Sequence, residues 1–126
     1  MPIAVSYPPE PRIVLQTGSG DVGPAEIDRA IDDTRDAVRA NSPRGVVIDT
    51  RADTVDIPMD AWIDLIAQYF DKIGTHVPTA YVIDGAVTPD QSMLLELTGF
   101  NNGTPVGVFP TPEDAFDWVS QVAKSR

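Results

Sequence analysis

The sequence has no cysteine, one histidine and two lysines among its 126 residues. Without cysteine the chain can form no disulfide and has no thiolate for nucleophilic attack or metal binding. The lone histidine, His76, cannot build a multi-histidine metal site, and no nucleophile-elbow sequence accompanies it to indicate a serine triad. We therefore expect a surface histidine, no metal and no cofactor. This shortage of reactive side chains argues against an enzyme.

Long hydrophobic runs and positive charge are also scarce. No apolar run approaches the roughly 20 residues that cross a bilayer, and the amino terminus lacks the basic and long apolar regions of a signal peptide. Nine lysines and arginines stand against 19 acidic residues, which leaves a net charge of −10. Such a charge repels the phosphates of nucleic acids and of anionic lipids. The composition thus predicts a cytoplasmic protein with no nucleic-acid partner and no membrane insertion.

What the sequence does contain is an alternation of strand-like and helix-like segments. Strands are predicted at Ile3–Tyr7, Arg12–Thr17, Gly45–Asp49, Thr79–Asp84 and Val106–Phe109. Helices are predicted at Ala25–Ala40, around Trp62–Ile73, from Thr88 to Gly99, and after Thr111. A turn at Gly18–Gly23 and a polar loop at Thr50–Pro58 are predicted between them. The order β-β-α-β-α-β-α-β-α is typical of an α/β domain.

The predicted fold is one α/β domain over residues 1–126, with its core at about 12–121. The chain is long enough to close a single hydrophobic core. Successive strands joined through helices form a mostly parallel sheet with right-handed crossovers. Three prolines within Pro8–Pro11 follow the first strand and confine it to the edge of the sheet. We therefore expect a mixed sheet with an N-terminal edge strand and amphipathic helices.

A dinucleotide-binding fingerprint, Gly-x-Gly-x-x-Gly, occurs at Gly18–Gly23 between a predicted strand and a predicted helix. Three features argue against this function. Asp21 would lie beside the pyrophosphate, Pro24 directly follows the third glycine, and the chain is too short for a second nucleotide-binding half and a substrate domain. We interpret the glycines as an ordinary turn.

Two aspartates at the ends of predicted strands form a candidate chemical site. Asp49 and Asp84 would meet at the carboxyl edge of the sheet if their strands are neighbours. Paired carboxylates there could bind Mg²⁺ and support phosphoryl transfer. A receiver-type domain would also need a lysine after the last strand, where Pro110 and Thr111 stand. The simpler interpretation is that both acids cap loops or helix amino termini.

Three segments resemble the STAS superfamily, and in particular its SpoIIAA-like group. The segment leading into the first helix, Ser19–Ile27, is similar to the family's Gly-acid-Val-Thr-x-Glu pattern. Val46–Arg51 is similar to its central strand ending in aspartate, and Gly107–Val119 is similar to its Val-Phe ending with downstream Glu, Ala and Trp. The resemblance spans about Arg12–Gln121 and implies a mixed sheet with a role in binding or regulation.

The resemblance also draws attention to the start of the second helix. Family members that antagonise anti-sigma factors carry an Asp-Ser-Ser-Gly segment there, in which a partner kinase phosphorylates a serine. In this chain Asp56 is followed by Ile57–Met59, so the acceptor serine is missing. The nearest hydroxyls belong to Thr50 and Thr54. Neither a phosphorylation switch nor anti-sigma antagonism therefore carries over from the family.

We predict a non-enzymatic protein-binding module whose partner is another protein or a second copy of the chain. Its candidate binding residues are Asp49, Thr50, Arg51, Thr54, Asp56, Ile57, Met59 and Asp84. An exposed apolar patch at Ile57–Met59 would favour association, whereas the same residues could instead staple the second helix to the core. The alternatives are a SEC14-like carrier of a small apolar ligand or lipid, with a pocket between sheet and helices, and the Mg²⁺-dependent phosphoryl-transfer enzyme.

Overall fold

A five-stranded sheet forms the centre of the described part of the molecule. The computed structural model describes residues 3–7, 12–55, 59–74, 77–82 and 105–124. The strands are β1 (Ile3–Ser6), β2 (Ile13–Val22), β3 (Gly45–Val55), β4 (Thr79–Val82) and β5 (Val106–Phe109). The helices are α1 (Pro24–Asn41), α2 (Met59–Ile73) and α3 (Pro112–Lys124).

The strands lie in the order β1-β2-β3-β4-β5. β1 pairs antiparallel with β2, and the other three neighbouring pairs are parallel. This confirms the predicted mixed, mostly parallel sheet with an N-terminal edge strand. Two successive right-handed crossovers place α1 and α2 on the same face of the sheet, and α3 packs on the opposite face.

Alternating side chains of the strands divide the core into two layers. Val46 and Ile48 of β3 face α1 and α2, whereas Val47 faces α3. The first layer also contains five buried α2 side chains, Leu65, Ile66, Tyr69, Phe70 and Ile73. The second layer includes Ala115 and Val119 of α3, both 0% exposed. Because β3 is covered on both faces, it begins with a continuous apolar run rather than an alternating one.

The first core layer contains buried polar groups that bond to one another. The Thr34 hydroxyl on α1 donates to Gln16 Oε1 on β2 over 3.0 Å. The hydroxyls of Tyr69 and Thr79 lie 2.8 Å apart. Burial raises the pKa of Tyr69 above its usual range, so the phenol stays protonated. These bonds offset the cost of removing the polar groups from water and tie α1 and α2 to particular strands.

The predicted helix ends are confirmed. Pro24 is the first residue of α1, where its missing N–H costs nothing. Gly74 ends α2 with a φ of 101°, and its N–H donates to the Phe70 carbonyl over 3.1 Å. At the start of α3 the Thr111 hydroxyl accepts a 3.3 Å hydrogen bond from the Asp114 N–H.

Two predicted connections are wrong. The turn predicted at Gly18–Gly23 is a continuation of β2 as far as Val22, and the loop predicted at Thr50–Pro58 is strand as far as Val55. The two stretches pair with each other, and this ladder overrides the turn preference of their glycine, serine and aspartate residues. The helix predicted from Thr88 to Gly99 lies outside the described residues, as does His76.

α3 packs closely against the first residue of β3, Gly45. A Cβ at this position would lie 2.5 Å from Val119 Cγ1 and 2.6 Å from the Pro78 carbonyl oxygen. That carbonyl is held in place because it accepts a 2.9 Å hydrogen bond from the Val46 N–H. The structure therefore leaves no room for a Cβ at this position, and only glycine fits.

Replacing Gly45→Ala is expected to lower the free energy of unfolding by about 2 kcal/mol through overpacking, as measured by urea denaturation. Combining it with Val119→Ala should cost less than the sum of the two single changes, because the two methyl groups no longer collide. A Gly45→Ala variant as stable as the parent would show that α3 does not approach the sheet this closely.

Lys72 joins the two helices on the same face of the sheet. Its Nζ on α2 lies 2.8 Å from Asp32 Oδ1 and 3.8 Å from Asp28 Oδ1, both on α1. The hydrogen bond from Lys72 holds the pKa of Asp32 below its usual value. Arg35, 3.4 Å from the same Asp32 oxygen, adds to this effect.

The Lys72–Asp32 pair is expected to make the packing of α1 against α2 sensitive to acid. A carboxyl group whose pKa is lowered by folding stabilises the protein at pH values above its unfolded-state pKa, near 4. This stabilisation is lost as the pH falls through the lower pKa of the folded state. Lys72→Met should therefore destabilise the protein at pH 7, and its difference from the parent should shrink towards pH 2. Thermal unfolding of the variant and the parent between pH 7 and pH 2 measures this difference in stability. Asp33→Asn, which changes an exposed acid on the same helix, should leave the profile unaltered.

Candidate functional site

β2 and β3 extend beyond the rest of the sheet at its carboxyl edge. β4 pairs with β3 as far as Asp49, and β1 pairs with β2 as far as Gly18. After a register shift beyond Thr17, the parallel pairing of β2 with β3 continues to the ends of both strands. We call this extension, Ser19–Val22 paired with Ala52–Val55, the arm. In the described part of the chain it is a two-stranded ribbon.

The arm connects the sheet to the starts of two helices. β2 passes through Gly23 into α1, and β3 leads towards the first residue of α2, Met59. The Gly23 N–H donates to Glu26 Oε2 over 3.1 Å, which fixes the chain direction where the arm meets α1. Two-stranded ribbons are marginally stable by themselves, and a ribbon edge can pair with or contact another chain.

Gly20 has an unusual backbone conformation within the arm. Its φ of +71° lies in the left-handed region, which side chains other than glycine rarely adopt, although a Cβ there would meet no atom within 4 Å. Gly20 is therefore required by its backbone conformation, in contrast to Gly45. Its register partner on β3 is Asp53.

The structure places five of the eight predicted binding residues in described elements. These are Asp49, Thr50, Arg51 and Thr54 in β3, and Met59 at the start of α2. Asp56, Ile57 and Asp84 lie outside the described residues. The prediction that Asp49 ends its strand is wrong, since this half-buried residue lies in register between Thr17 of β2 and Val82 of β4. The arm and the start of α2 nonetheless belong to the same edge of the sheet.

Metal binding and membrane insertion find no support within the described ranges. No three His, Asp or Glu side chains there come together in a group that could hold a metal ion. None of the described helices is long and apolar enough to cross a membrane. The Asp49–Asp84 pair stays a prediction because Asp84 is outside these ranges.

Ile63 on α2 is the large apolar side chain that stands out on the described surface, with 48% of its area exposed. It follows Met59 by four residues, so the two belong to one helix face. Asp60 and Asp64 beside it are exposed. The sequence analysis missed Ile63 because it lies outside the apolar stripe of α2. A helical projection would have revealed an isoleucine next to aspartates on the polar side.

Charge is distributed unevenly between the two edges of the sheet. Arg12 and Arg44 precede β2 and β3, and Arg39, Lys72 and Lys124 lie in the last turns of the three helices. Each helix runs antiparallel to the strands, so the ends of the helices and the starts of the strands lie at the same edge. All five basic residues therefore belong to the amino edge. Near the carboxyl edge the first turns of the helices carry the acids Glu26, Asp60, Glu113 and Asp114, whereas β3 has both a base, Arg51, and an acid, Asp53, beyond Asp49. This arrangement complements the helix dipoles.

Comparison with solved structures identifies the fold. The chain matches an anti-sigma factor antagonist from Mycobacterium paratuberculosis with a TM-score of 0.59 and 23% identity, over 94% of each chain. It matches the anti-sigma factor antagonist SpoIIAA in its unphosphorylated form with a TM-score of 0.62 and 11% identity, over 94% of this chain and 97% of that one. An uncharacterized protein with a SpoIIAA-like fold from Shewanella loihica matches at 0.58 and 16% identity, over 93% and 91% of the two chains.

These matches define the class as a mixed α/β domain and, more narrowly, as the SpoIIAA-like fold that the sequence predicts. No family model and no curated protein matches the sequence. The similarity therefore lies in the fold, and identities of 11–23% show the fold alone.

Two substitutions of Gly20 test whether glycine is needed there for its positive φ or for lack of space around a side chain. Gly20→Ala is expected to destabilise the protein by about 1 kcal/mol, because alanine resists the positive φ. Gly20→Asn should cost less, because asparagine tolerates the left-handed region. Urea denaturation measures both. Equal costs for the two variants, or no cost for alanine, would contradict a left-handed residue in the arm.

Proposed function

We propose that the protein is a cytosolic, non-enzymatic regulatory module that binds another protein through the arm and the start of α2. The observation that carries this proposal is the overlap, along almost the whole of both chains, with two anti-sigma factor antagonists. An antagonist of an anti-sigma factor acts on another protein, and by analogy we assign this chain a protein partner.

Exposure and position favour the start of α2 as the contact surface. Ile63 keeps about half of its side chain exposed although buried residues lie on the neighbouring face of the same helix. An exposed large apolar side chain near the end of a two-stranded ribbon suits association with another chain. The predicted residues Ile57 and Met59 precede Ile63 in the sequence and would extend the apolar surface along the chain.

The charges around this surface suggest what the partner presents. Asp60 and Asp64, both exposed, flank Ile63 on α2. The cation on α2, Lys72, is at the far end of the helix and is bound to α1. A partner with an apolar residue surrounded by lysines or arginines would complement these charges and associate faster at low salt.

We further propose that binding is not switched by phosphorylation at the start of α2. The segment that carries the acceptor serine in antagonists of this type reads Asp56-Ile57-Pro58-Met59 here. An isoleucine or methionine cannot accept a phosphoryl group, and apolar side chains at these positions strengthen contact without modification. Regulation would then act through the amount of the protein or of its partner.

Ile63→Asp tests the surface. It is expected to weaken partner binding at least about tenfold, since it places a charge within an apolar contact, while leaving stability nearly unchanged at an exposed position. The measurement is affinity capture of tagged protein from its own cells, followed by mass spectrometry and titration of the partner identified. The matched control is Gln68→Asp, which adds the same charge about 140° around the helix.

A partner that binds Ile63→Asp and the parent equally would contradict the proposed surface. The double change Ile57→Ser and Met59→Ser provides a second test. It should weaken the complex and leave the fold intact. Loss of folding in that variant would show instead that these residues staple α2 to the core.

A further inference from the structure

A cavity of about 320 Å³ lies at the amino edge of the sheet, opposite the proposed partner surface. It is lined by Val38, Ser42, Pro43, Arg44, Val77 and Pro78. These residues come from the end of α1, the start of β3 and the segment before β4. Its volume is at the small end of the range of roughly 300–1,000 Å³ that is usual for small-molecule sites.

Four of the six lining residues, Val38, Pro43, Val77 and Pro78, have apolar side chains, and three backbone groups nearby are paired within the protein. The Ser42 N–H donates to the Val38 carbonyl, and the Arg44 N–H donates to the Arg12 carbonyl. The Pro78 carbonyl accepts from the Val46 N–H. Among the lining residues, Ser42 and Arg44 have polar side chains, a hydroxyl and a guanidinium, and both residues are exposed.

Ser42 holds a backbone conformation that favours glycine. It caps the end of α1 with φ 46° and ψ 59°, in the left-handed region. Glycine is the usual residue at such a position because it avoids the strain of a Cβ. A serine there keeps a hydroxyl at the rim of the cavity at some cost in stability, which is the pattern found at functional sites.

The charge around the cavity selects anions. The amino edge carries Arg12, Arg39 and Arg44, in a protein whose overall net charge is −10. A locally positive edge attracts a small anion, whereas the net negative charge of the whole molecule opposes species with two or more charges. One guanidinium matches one carboxylate through two parallel hydrogen bonds.

We propose that this cavity binds a small monocarboxylate with an apolar body, the carboxylate on Arg44 and Ser42 and the apolar body against Val38, Val77 and Pro78. The site is separate from the partner surface at the carboxyl edge and does not depend on the proposed function. A phosphate ester is a poorer fit, because it carries more charge and needs more donors than one arginine and one hydroxyl provide.

Hexanoate is the probe. In a ¹H–¹⁵N NMR titration of the full chain, it should shift the amide resonances of Ser42, Arg44 and Val77 with a dissociation constant of order 1 mM. Hexanamide, the uncharged counterpart, should bind at least about tenfold more weakly, and Arg44→Gln should weaken hexanoate binding by a similar factor.

Arg39→Gln is the matched control, because it removes the same charge from the same edge without changing a residue that lines the cavity. Hexanoate affinity in this variant should stay within about twofold of the parent. The proposal is overturned if hexanoate shifts none of the three amides up to about 20 mM, or if Arg44→Gln and Arg39→Gln behave alike. It is also overturned if hexanamide binds as well as hexanoate.

Discussion

The parallel pairing of β2 with β3 is the constraint on which the rest of the described structure depends. It runs from Ile13 opposite Gly45 to Val22 opposite Val55 and is interrupted by one register shift. α1 connects these two strands, and α2 leads from β3 to β4, so the position of both helices follows from this ladder. The same ladder extends past the neighbouring strands and forms the arm. One set of backbone hydrogen bonds therefore supports both the core and the proposed partner surface.

The two edges of the sheet have different chemistry, and this follows from chain direction. Each helix starts at the carboxyl edge with an acid and ends at the amino edge with a base, as the helix dipole favours. The acidic carboxyl edge carries the arm and Ile63, whereas the amino edge carries the small cavity beside Arg44. The proposed protein-binding surface and the proposed small-anion site therefore lie at opposite ends of the strands.

Much of the fold could be predicted from the sequence because its signals are local and strong. The apolar run at Val46–Ile48 marks a strand covered on both faces, and proline or glycine marks the helix ends at Pro24 and Gly74. The arm could not be predicted, since Ser19–Val22 has the composition of a turn and becomes a strand only through pairing with β3. Ile63 could have been found from its place on the polar side of α2, whereas the cavity at Ser42 depends on how α1, β3 and the segment before β4 pack together, which no local pattern contains.

Native mass spectrometry of the protein purified gently from its own cells tests the central claim, that this chain works by binding another protein. We expect a complex of this chain with a second, different protein in a defined ratio, with no phosphate on this chain. A bare chain or a homodimer under the same conditions would contradict it. A phosphate on Thr50 or Thr54 that accompanies loss of the partner would contradict binding without a phosphorylation switch.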